Sequence, residues 1–223
     1  MADLKRQPEA ETEYRSHLKR SETVWDRWSN WYKMSEQDFE PIRNELLTQL
    51  NLGEGDDVLE IGCGPGVNFA KVHEAIGESG SLVAIDFSPE MIKKAQERVD
   101  RHGWGNIKVV RADATTAELG GPYDAAIATL ALSIMPHVER TVQNVHSALK
   151  PDATLGVLDL QEFQSGPLRV FNPFLKWFLN WYANWNSEGN VRHSIDDVFG
   201  KTELLDTFML GTVYTIKATR TAP

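Results

Sequence analysis

The chain has too few thiols for a disulfide framework or a multi-cysteine metal centre. Cys63 is the only cysteine among its 223 residues, which excludes an internal disulfide and any site built from several thiolates. No stretch approaches the roughly 18 uncharged apolar residues of a membrane span, and no signal peptide pattern opens the chain. No cluster of histidine and acidic residues has the spacing of metal ligands. These absences predict a cytoplasmic protein without a metal site.

Positive charge is also scarce. Lys and Arg together number 23 against 32 Asp and Glu, so the net charge is −9. Because no run of basic residues offsets this balance, the average surface repels a nucleic-acid backbone, and we expect no nucleic-acid partner. The length and the 41% hydrophobic content suit one sizeable domain with a full core.

The most informative stretch is 57–66, Asp-Val-Leu-Glu-Ile-Gly-Cys-Gly-Pro-Gly. Val58, Leu59 and Ile61 form a short apolar run that is typical of a buried strand. Three alternating glycines then interrupt the run, and glycine both reaches positive φ and lets a ligand approach the backbone. Strand, glycine turn and helix in this order bind nucleotide-like ligands at the carboxyl edge of open α/β sheets. The apolar positions of the following helical pattern are Val67, Ala70, Val72 and Ala75.

The spacing of the glycines distinguishes this turn from two phosphate-binding loops. A dinucleotide fingerprint would need Gly or Ala where Val67 stands, and a phosphate loop would need Gly-Lys followed by Ser or Thr. Glu60 precedes Gly62 by two residues, and an anion there favours a ligand with positive charge over a pyrophosphate. The stretch resembles the first motif of the class I S-adenosylmethionine-dependent methyltransferases.

Further apolar runs alternate with helical patterns along the chain. Residues 202–208 and 212–217, around Leu210-Gly211, indicate a final β-hairpin. We therefore predict an α/β fold with a Rossmann-like, doubly wound, seven-stranded sheet, mostly parallel with an antiparallel C-terminal hairpin. This arrangement is similar to the methyltransferase fold. The other predicted strands cover 81–86, 107–110, 123–129 and 154–159.

Two regions lie outside the predicted sheet. Residues 1–38 are expected to form a charged arm and an aromatic lid helix. Residues 39–223 are expected to form the methyltransferase domain, with an aromatic helical insertion at about 163–200.

Two acidic residues follow predicted strands at positions that suit a nucleoside. Asp86 ends the second strand, and a carboxylate at that place in a βαβ unit can accept hydrogen bonds from ribose hydroxyls. The alternative is a capping role, although Ser88 and Pro89 already provide a cap and a first helical residue. Asp113 follows the third strand, where it can meet the adenine amine or cap the next short helix.

The resemblance implies a cofactor, its product and a set of contacts. The cofactor would be S-adenosylmethionine, which leaves as S-adenosylhomocysteine. His137, in the loop after the fourth strand, is the candidate general base, and the alternative is a solvated side chain with no role. By the same resemblance, the cofactor-binding residues are Tyr32, Glu60, Gly62, Cys63, Gly64, Gly66, Asp86, Phe87, Met91, Asp113, Ala114, Thr129 and Leu130.

The aromatic segment 172–185 gives information about the type of acceptor. Asn172 and Pro173 suit the start of a helix, and its polar residues form one stripe of Lys176, Asn180 and Asn184. A helix this apolar lines a cavity, packs in the core or contacts lipid. We predict a lid of two aromatic helices over a small or lipophilic acceptor, with peripheral membrane contact through 172–185. Simple core packing is the alternative.

The opening pattern Trp25–Tyr32 resembles that of quinone-ring C-methyltransferases and phospholipid N-methyltransferases. A quinone precursor or an amino-phospholipid is therefore the expected acceptor. Two other functions stay open. One is an NAD(P)-dependent oxidoreductase, which the glycine spacing and Glu60 disfavour, and the other is a non-catalytic module that retains the cofactor pocket.

Overall fold

A computed structural model describes residues 3–28, 38–187 and 189–221, with side chains from residue 11 onward. The helices are α1 (Asp3–Trp28), α2 (Glu40–Gln49), α3 (Phe69–Ile76), α4 (Pro89–His102), α5 (Val138–Ala148), α6 (Asn172–Ala183) and α7 (Val191–Phe199). The strands are β1 (Asp57–Ile61), β2 (Ser81–Asp86), β3 (Ile107–Arg111), β4 (Tyr123–Thr129), β5 (Leu149–Leu160), β6 (Gly200–Phe208) and β7 (Val213–Arg220). Short 3-10 helices cover Leu132–Ile134, Pro167–Phe171 and Met209–Gly211.

The strands form one seven-stranded sheet in the order β3-β2-β1-β4-β5-β7-β6. Only β7 runs antiparallel to its neighbours, so the predicted sheet with its C-terminal hairpin is confirmed. Ile61 of β1 pairs with Ile85 of β2 and with Ala128 of β4. The carboxyl ends of three adjacent strands are therefore level, and the loops that follow them meet at one edge.

The core covers both faces of the sheet because side chains alternate along each buried strand. Val58 of β1 packs in the cluster that contains Phe69 of α3 and Ala95 of α4. The next residue, Leu59, packs in the opposite cluster with Val142 of α5 and Ile195 of α7. Helices therefore cover the sheet on both sides, and the loops at its carboxyl edge remain available for a site.

The buried face of α3 differs from the sequence expectation. Phe69, Val72 and Ile76 point inward, whereas Ala70 is exposed. The helix begins after Val67, and the Phe69 ring lies against Gly66, where a Cβ would come within 2.4 Å of it. This contact sets the rotation of the helix and requires glycine at position 66.

Candidate functional site

A narrow cavity of about 90 Å³ lies at the carboxyl edge formed by β1, β2 and β4. Nine of the residues predicted from the sequence line it, although they come from five separate loops and helices. They are Gly62, Gly64, Asp86, Phe87, Met91, Asp113, Ala114, Thr129 and Leu130.

The glycine turn forms the floor of this cavity. Gly62 and Gly64 have φ values of 65° and 54°, which favour glycine. A Cβ at Gly62 would also lie 2.4 Å from the Cβ of Ala131. Cys63 and Gly66 shape the turn without lining the cavity, since the Gly66 amide donates to the Cys63 carbonyl at 3.0 Å. The Cys63 thiol is buried, and desolvation raises its pKa well above the ordinary value, so it stays protonated.

The Asp86 carboxylate is held at the cavity wall by two backbone donors. Its Oδ2 accepts from the Gly64 amide at 2.9 Å, and its Oδ1 accepts from the Ser88 amide at 2.9 Å. Burial raises its pKa, and these two hydrogen bonds oppose that shift. Ser88 is the N-cap of α4, because its Oγ accepts from the Met91 amide at 3.2 Å. The capping alternative for Asp86 is therefore taken by Ser88.

Asp113 closes a turn and does not cap a helix, because residues 114–116 form a turn where a short helix was expected. Its contact with the adenine amine stays a prediction. One carboxylate oxygen accepts from the Thr115 amide at 3.0 Å, which closes the turn after β3. The other accepts from the Tyr14 hydroxyl of α1 and from Thr116 Oγ1. Asp113 also lines the cavity, so its carboxylate is within reach of a ligand there.

Glu60 lies one layer behind the cavity wall and does not line it. It is fully buried in β1, and its Oε1 accepts from Asn68 Nδ2 at 2.8 Å. The same amide group lies 3.1 Å from Oγ1 of Thr129, which does line the cavity. Glu60 Oε2 has no hydrogen-bond partner among the described residues. Desolvation raises the pKa of Glu60 to about 7, against the effect of the Asn68 hydrogen bond.

Helix α1 forms the roof of the cavity through Leu18, Ser21, Glu22 and Trp25. The sequence pattern suggested a charged arm here with a helix only near its end, whereas α1 is continuous from Asp3 to Trp28. Arg111 Nη2 donates to Glu22 Oε1 at 2.9 Å, and Asp26 Oδ1 accepts from Ser88 Oγ at 2.7 Å.

A volume of about 90 Å³ is well below the roughly 300–1,000 Å³ of ligand pockets. Because α1 supplies the roof, we predict that this helix moves when a nucleoside enters. The positions of Tyr14, His17, Leu18, Ser21 and Trp25 recur at steps of three and four. That spacing was the signal that could have identified the roof from the sequence.

His137 and Tyr32 are not placed in the cavity. His137 is exposed, and its ring stacks on Tyr14 with centroids 5.0 Å apart. It lines a separate surface cavity with Arg140 and Thr116. Tyr32 lies outside the described residues, and so does the Trp31 end of the predicted aromatic lid helix.

The polar stripe of α6 faces the roof helix. Asn180 Oδ1 accepts from Arg20 at 2.9 Å, and Asn184 Nδ2 donates to Ser21 Oγ at 2.7 Å. Leu179 and Ala183 are buried, whereas most of the other apolar side chains of this segment point to solvent. We call this surface the aromatic face; it consists of Val170, Phe171, Phe174, Trp177, Phe178 and Trp181, which are 38–72% exposed.

Two details of this segment differ from the sequence expectation. Asn172 does not cap α6; its side chain instead bonds the backbone N–H and C=O of Phe163, at 3.0 and 3.1 Å. Trp185 follows the helix, which ends at Ala183, and is 5% exposed. It therefore does not belong to the aromatic face. None of the described helices is long and apolar enough to cross a membrane.

Comparison with known proteins identifies the central part of the chain. A family model described as a methyltransferase domain matches residues 58–152, which contain the glycine turn and both cavity carboxylates. Residues 58–152 therefore match the class I methyltransferases. The match confirms the predicted family, the fold and S-adenosylmethionine as the cofactor of the domain.

Two curated relatives are similar to parts of this chain. Nocamycin O-methyltransferase of Saccharothrix syringae is 28% identical over 155 residues, which are 66% of this chain and 55% of that protein. Protein-L-isoaspartate O-methyltransferase of Methanococcus vannielii is 37% identical over 94 residues, 42% of this chain and 45% of that protein. The chain thus spans about half the length of the curated relatives it matches.

A solved structure has the same fold as this methyltransferase domain. It is a SAM-dependent methyltransferase from Aquifex aeolicus, with a TM-score of 0.59 and 20% identity. The match covers 79% of this chain and 88% of that chain.

Proposed function

We propose that the protein transfers a methyl group from S-adenosylmethionine to a small lipophilic acceptor. The observation that carries the proposal is the pair of carboxylates, Asp86 and Asp113, on the wall of a glycine-floored cavity at the carboxyl edge of the sheet. Such an edge is where open α/β sheets bind nucleotide-like ligands.

The residues present fit the nucleoside of this cofactor. Each oxygen of Asp86 accepts one backbone N–H, and a carboxylate oxygen can accept a second hydrogen bond, here from a ribose hydroxyl. Asp113 can accept from the adenine amine once Tyr14 withdraws. Apolar side chains of Ile85, Phe87 and Met91 line the same cavity and suit the flat faces of a base.

The bound cofactor supplies a methyl group on a positively charged sulfur, which is already activated for displacement. The protein therefore contributes approach, alignment and exclusion of water. Leu130 and Ala131 line the cavity after β4 and limit the space beside the glycine turn. Helix α1 excludes water by covering the cavity. A basic role for His137 stays a prediction, and in this arrangement its ring lies outside the cavity.

The aromatic face supports a lipophilic acceptor. Soluble proteins rarely expose contiguous apolar patches, and a large one marks an interaction site. Trp177 and Trp181 are 62% and 56% exposed on a helix whose polar side contacts the roof of the cavity. We propose that this face inserts into the interfacial region of a bilayer and brings the cavity to acceptors held there. With a net charge of −9, apolar burial must supply most of this binding.

Calorimetric titration tests the cofactor assignment. S-adenosylhomocysteine should bind, and NADH should not; the opposite result would favour an oxidoreductase. Incubation with lipid and quinone extracts and labelled S-adenosylmethionine, followed by mass spectrometry, should then identify a labelled lipophilic product. Cofactor binding without any labelled product from extracts, peptides or small molecules would favour a non-catalytic module.

A further inference from the structure

A second cavity, of about 600 Å³, lies beyond the carboxyl end of β5 and is not part of the cofactor site. Its walls are the segment 160–164, the 3-10 helix Pro167–Phe171, the start of α7 and Tyr214 of β7. The two cavities share no lining residue.

Two arginines on this cavity lack anionic partners. Neither the Arg169 nor the Arg192 guanidinium forms an ion pair or hydrogen bond with any described residue. Arg192 lies over the Tyr214 ring, 5.9 Å from its centroid, which holds the cation at the wall.

The two acidic residues of the lining are engaged elsewhere. Glu162 pairs with Lys176 at 2.7 Å, and Asp196 accepts from the Thr202 hydroxyl. His193 also lines the cavity and pairs with Asp197 at 3.2 Å. Arg169 and Arg192 are therefore the cationic groups of the described lining that have no ion-pair partner, although the chain as a whole is acidic.

Trp185 lies on the wall of this cavity and is 5% exposed. Its indole Nε1–H is buried and has no acceptor among the described residues. Buried donors in folded proteins nearly always have a partner, from the protein, water or a ligand. In addition, α7 begins at Val191 on the cavity wall, and the amino end of a helix carries partial positive charge.

We propose that this cavity binds the anionic head group, a carboxylate or a phosphate, of an amphiphilic acceptor. Arginine pairs with both groups through two parallel N–H donors, and the Trp185 ring lies on the wall of the same cavity. The aromatic face begins at Val170, directly after Arg169 in the same 3-10 helix, so it is placed to receive the apolar part of the same molecule. This inference names the substrate class for the proposed function and rests on it.

The indole N–H of Trp185 offers a direct readout that requires neither cofactor nor turnover. Protein labelled with ¹⁵N at tryptophan would be titrated with inorganic phosphate and, separately, with acetate, and W185F would assign the signal. The Trp185 signal should move saturably with at least one anion. The Trp25 indole, which lines the cofactor cavity instead, serves as the internal control.

The arginine variants test the assignment of the site. R169Q and R192Q should each weaken the binding about tenfold or more, since a charge-assisted hydrogen bond is lost. R101Q removes the same charge from an exposed position on α4 and should leave binding unchanged. Thermal unfolding would verify that each variant is folded. A Trp185 signal that neither anion moves, or that moves equally in R169Q/R192Q, overturns the proposal.

Binding to vesicles distinguishes the two possible sources of the head group, a membrane lipid and a water-dispersed amphiphile. Stronger binding to phosphatidylglycerol than to phosphatidylcholine vesicles, lost in R169Q/R192Q, would assign a lipid phosphate. No such preference, with phosphate or acetate still bound, would assign a water-dispersed acidic amphiphile. Anion binding without S-adenosylhomocysteine binding would refute the methyltransferase proposal and leave this anion site standing.

Discussion

The hydroxyl of Tyr14 on α1 donates a hydrogen bond to the carboxylate of Asp113, 99 positions along the chain. Burial and the neighbouring carboxylate raise the pKa of Tyr14 to about 12, so the phenol keeps the proton that it donates. The same carboxylate is the proposed acceptor for the adenine amine. The proposed adenine contact therefore predicts that Tyr14 and the cofactor compete for Asp113, and that α1 opens when the cofactor enters.

Tyr14→Phe should accelerate cofactor binding. A hydrogen bond to a charged acceptor contributes about 1.5–3 kcal/mol, so its loss shifts the closed helix towards the open state about ten- to a hundredfold. Stopped-flow measurement of S-adenosylhomocysteine binding should show a matching increase in association rate.

Arg15→Gln is the control for Tyr14→Phe, because its ion pair with Glu11 on the same helix is exposed. This variant should bind at the parent rate. An association rate that is the same in Tyr14→Phe and the parent would mean that α1 does not limit entry.

Asp86→Ala should weaken S-adenosylhomocysteine binding about ten- to a hundredfold. The change removes hydrogen bonds to a charged acceptor, about 1.5–3 kcal/mol. It also frees the Gly64 and Ser88 amides, so thermal unfolding without ligand is needed to separate loss of stability from loss of contact. Asp86→Asn keeps one acceptor oxygen, so its dissociation constant for S-adenosylhomocysteine should lie between those of the parent and Asp86→Ala. Equal dissociation constants for all three proteins by calorimetry would refute the ribose role.

The sheet and the cofactor cavity could be predicted because their signals are local. Gly62, Gly64 and Asp86 sit at strand ends, and parallel pairing brings strand ends to one edge whatever the rest of the chain does. The other cavity residues, among them Phe87, Met91 and Ala114, were implied by the resemblance to the methyltransferase family. Cys63 and Gly66 belong to the same glycine turn but do not line the cavity.

The surroundings of the cavity could not be predicted because they depend on tertiary contacts. The sequence shows that α6 has a polar stripe, yet only the position of α1 decides that Asn180 and Asn184 face inward. Trp185 belongs to the aromatic run in sequence but is buried beside Arg192, since the chain leaves the helix after Ala183. The second cavity draws on residues from five elements, and no spacing in the sequence links Arg169 with Tyr214.

Replacing Trp177 and Trp181 with serine should reduce binding to zwitterionic vesicles. Both indoles are more than half exposed on the aromatic face, and burying an apolar side chain contributes about 1.5–3 kcal/mol. Co-sedimentation should therefore fall at least tenfold for the double variant. Leu204→Ser, on β6 and 45% exposed, is the matched control and should sediment like the parent. A parent protein that does not sediment would end the membrane proposal and leave the cofactor site unaffected.

Glu60→Gln should change how the stability of the protein depends on pH. In the folded state burial raises the pKa of Glu60 to about 7 from an ordinary 4.5, so the folded protein holds this proton more tightly than the unfolded chain. The contribution of protonated Glu60 to the free energy of unfolding is fully present below pH 4.5 and is lost as pH rises through 7. The loss amounts to about 3 kcal/mol at 1.36 kcal/mol per pKa unit. Glutamine does not titrate and removes this dependence.

Urea unfolding at pH 5 and pH 8 measures the effect. The stability of Glu60→Gln relative to the parent should rise between the two values by up to about 3 kcal/mol. Burial raises the pKa of Asp159 to about 6, but Asp159 titrates in both proteins, so its effect cancels in the comparison.

A cationic ligand beyond Thr129 favours ionised Glu60. Binding of S-adenosylmethionine to the parent protein should therefore release protons near pH 7 and strengthen as pH rises. Binding heats that do not vary with the ionisation enthalpy of the buffer, or that vary equally in Glu60→Gln, would show that Glu60 is not coupled to the site.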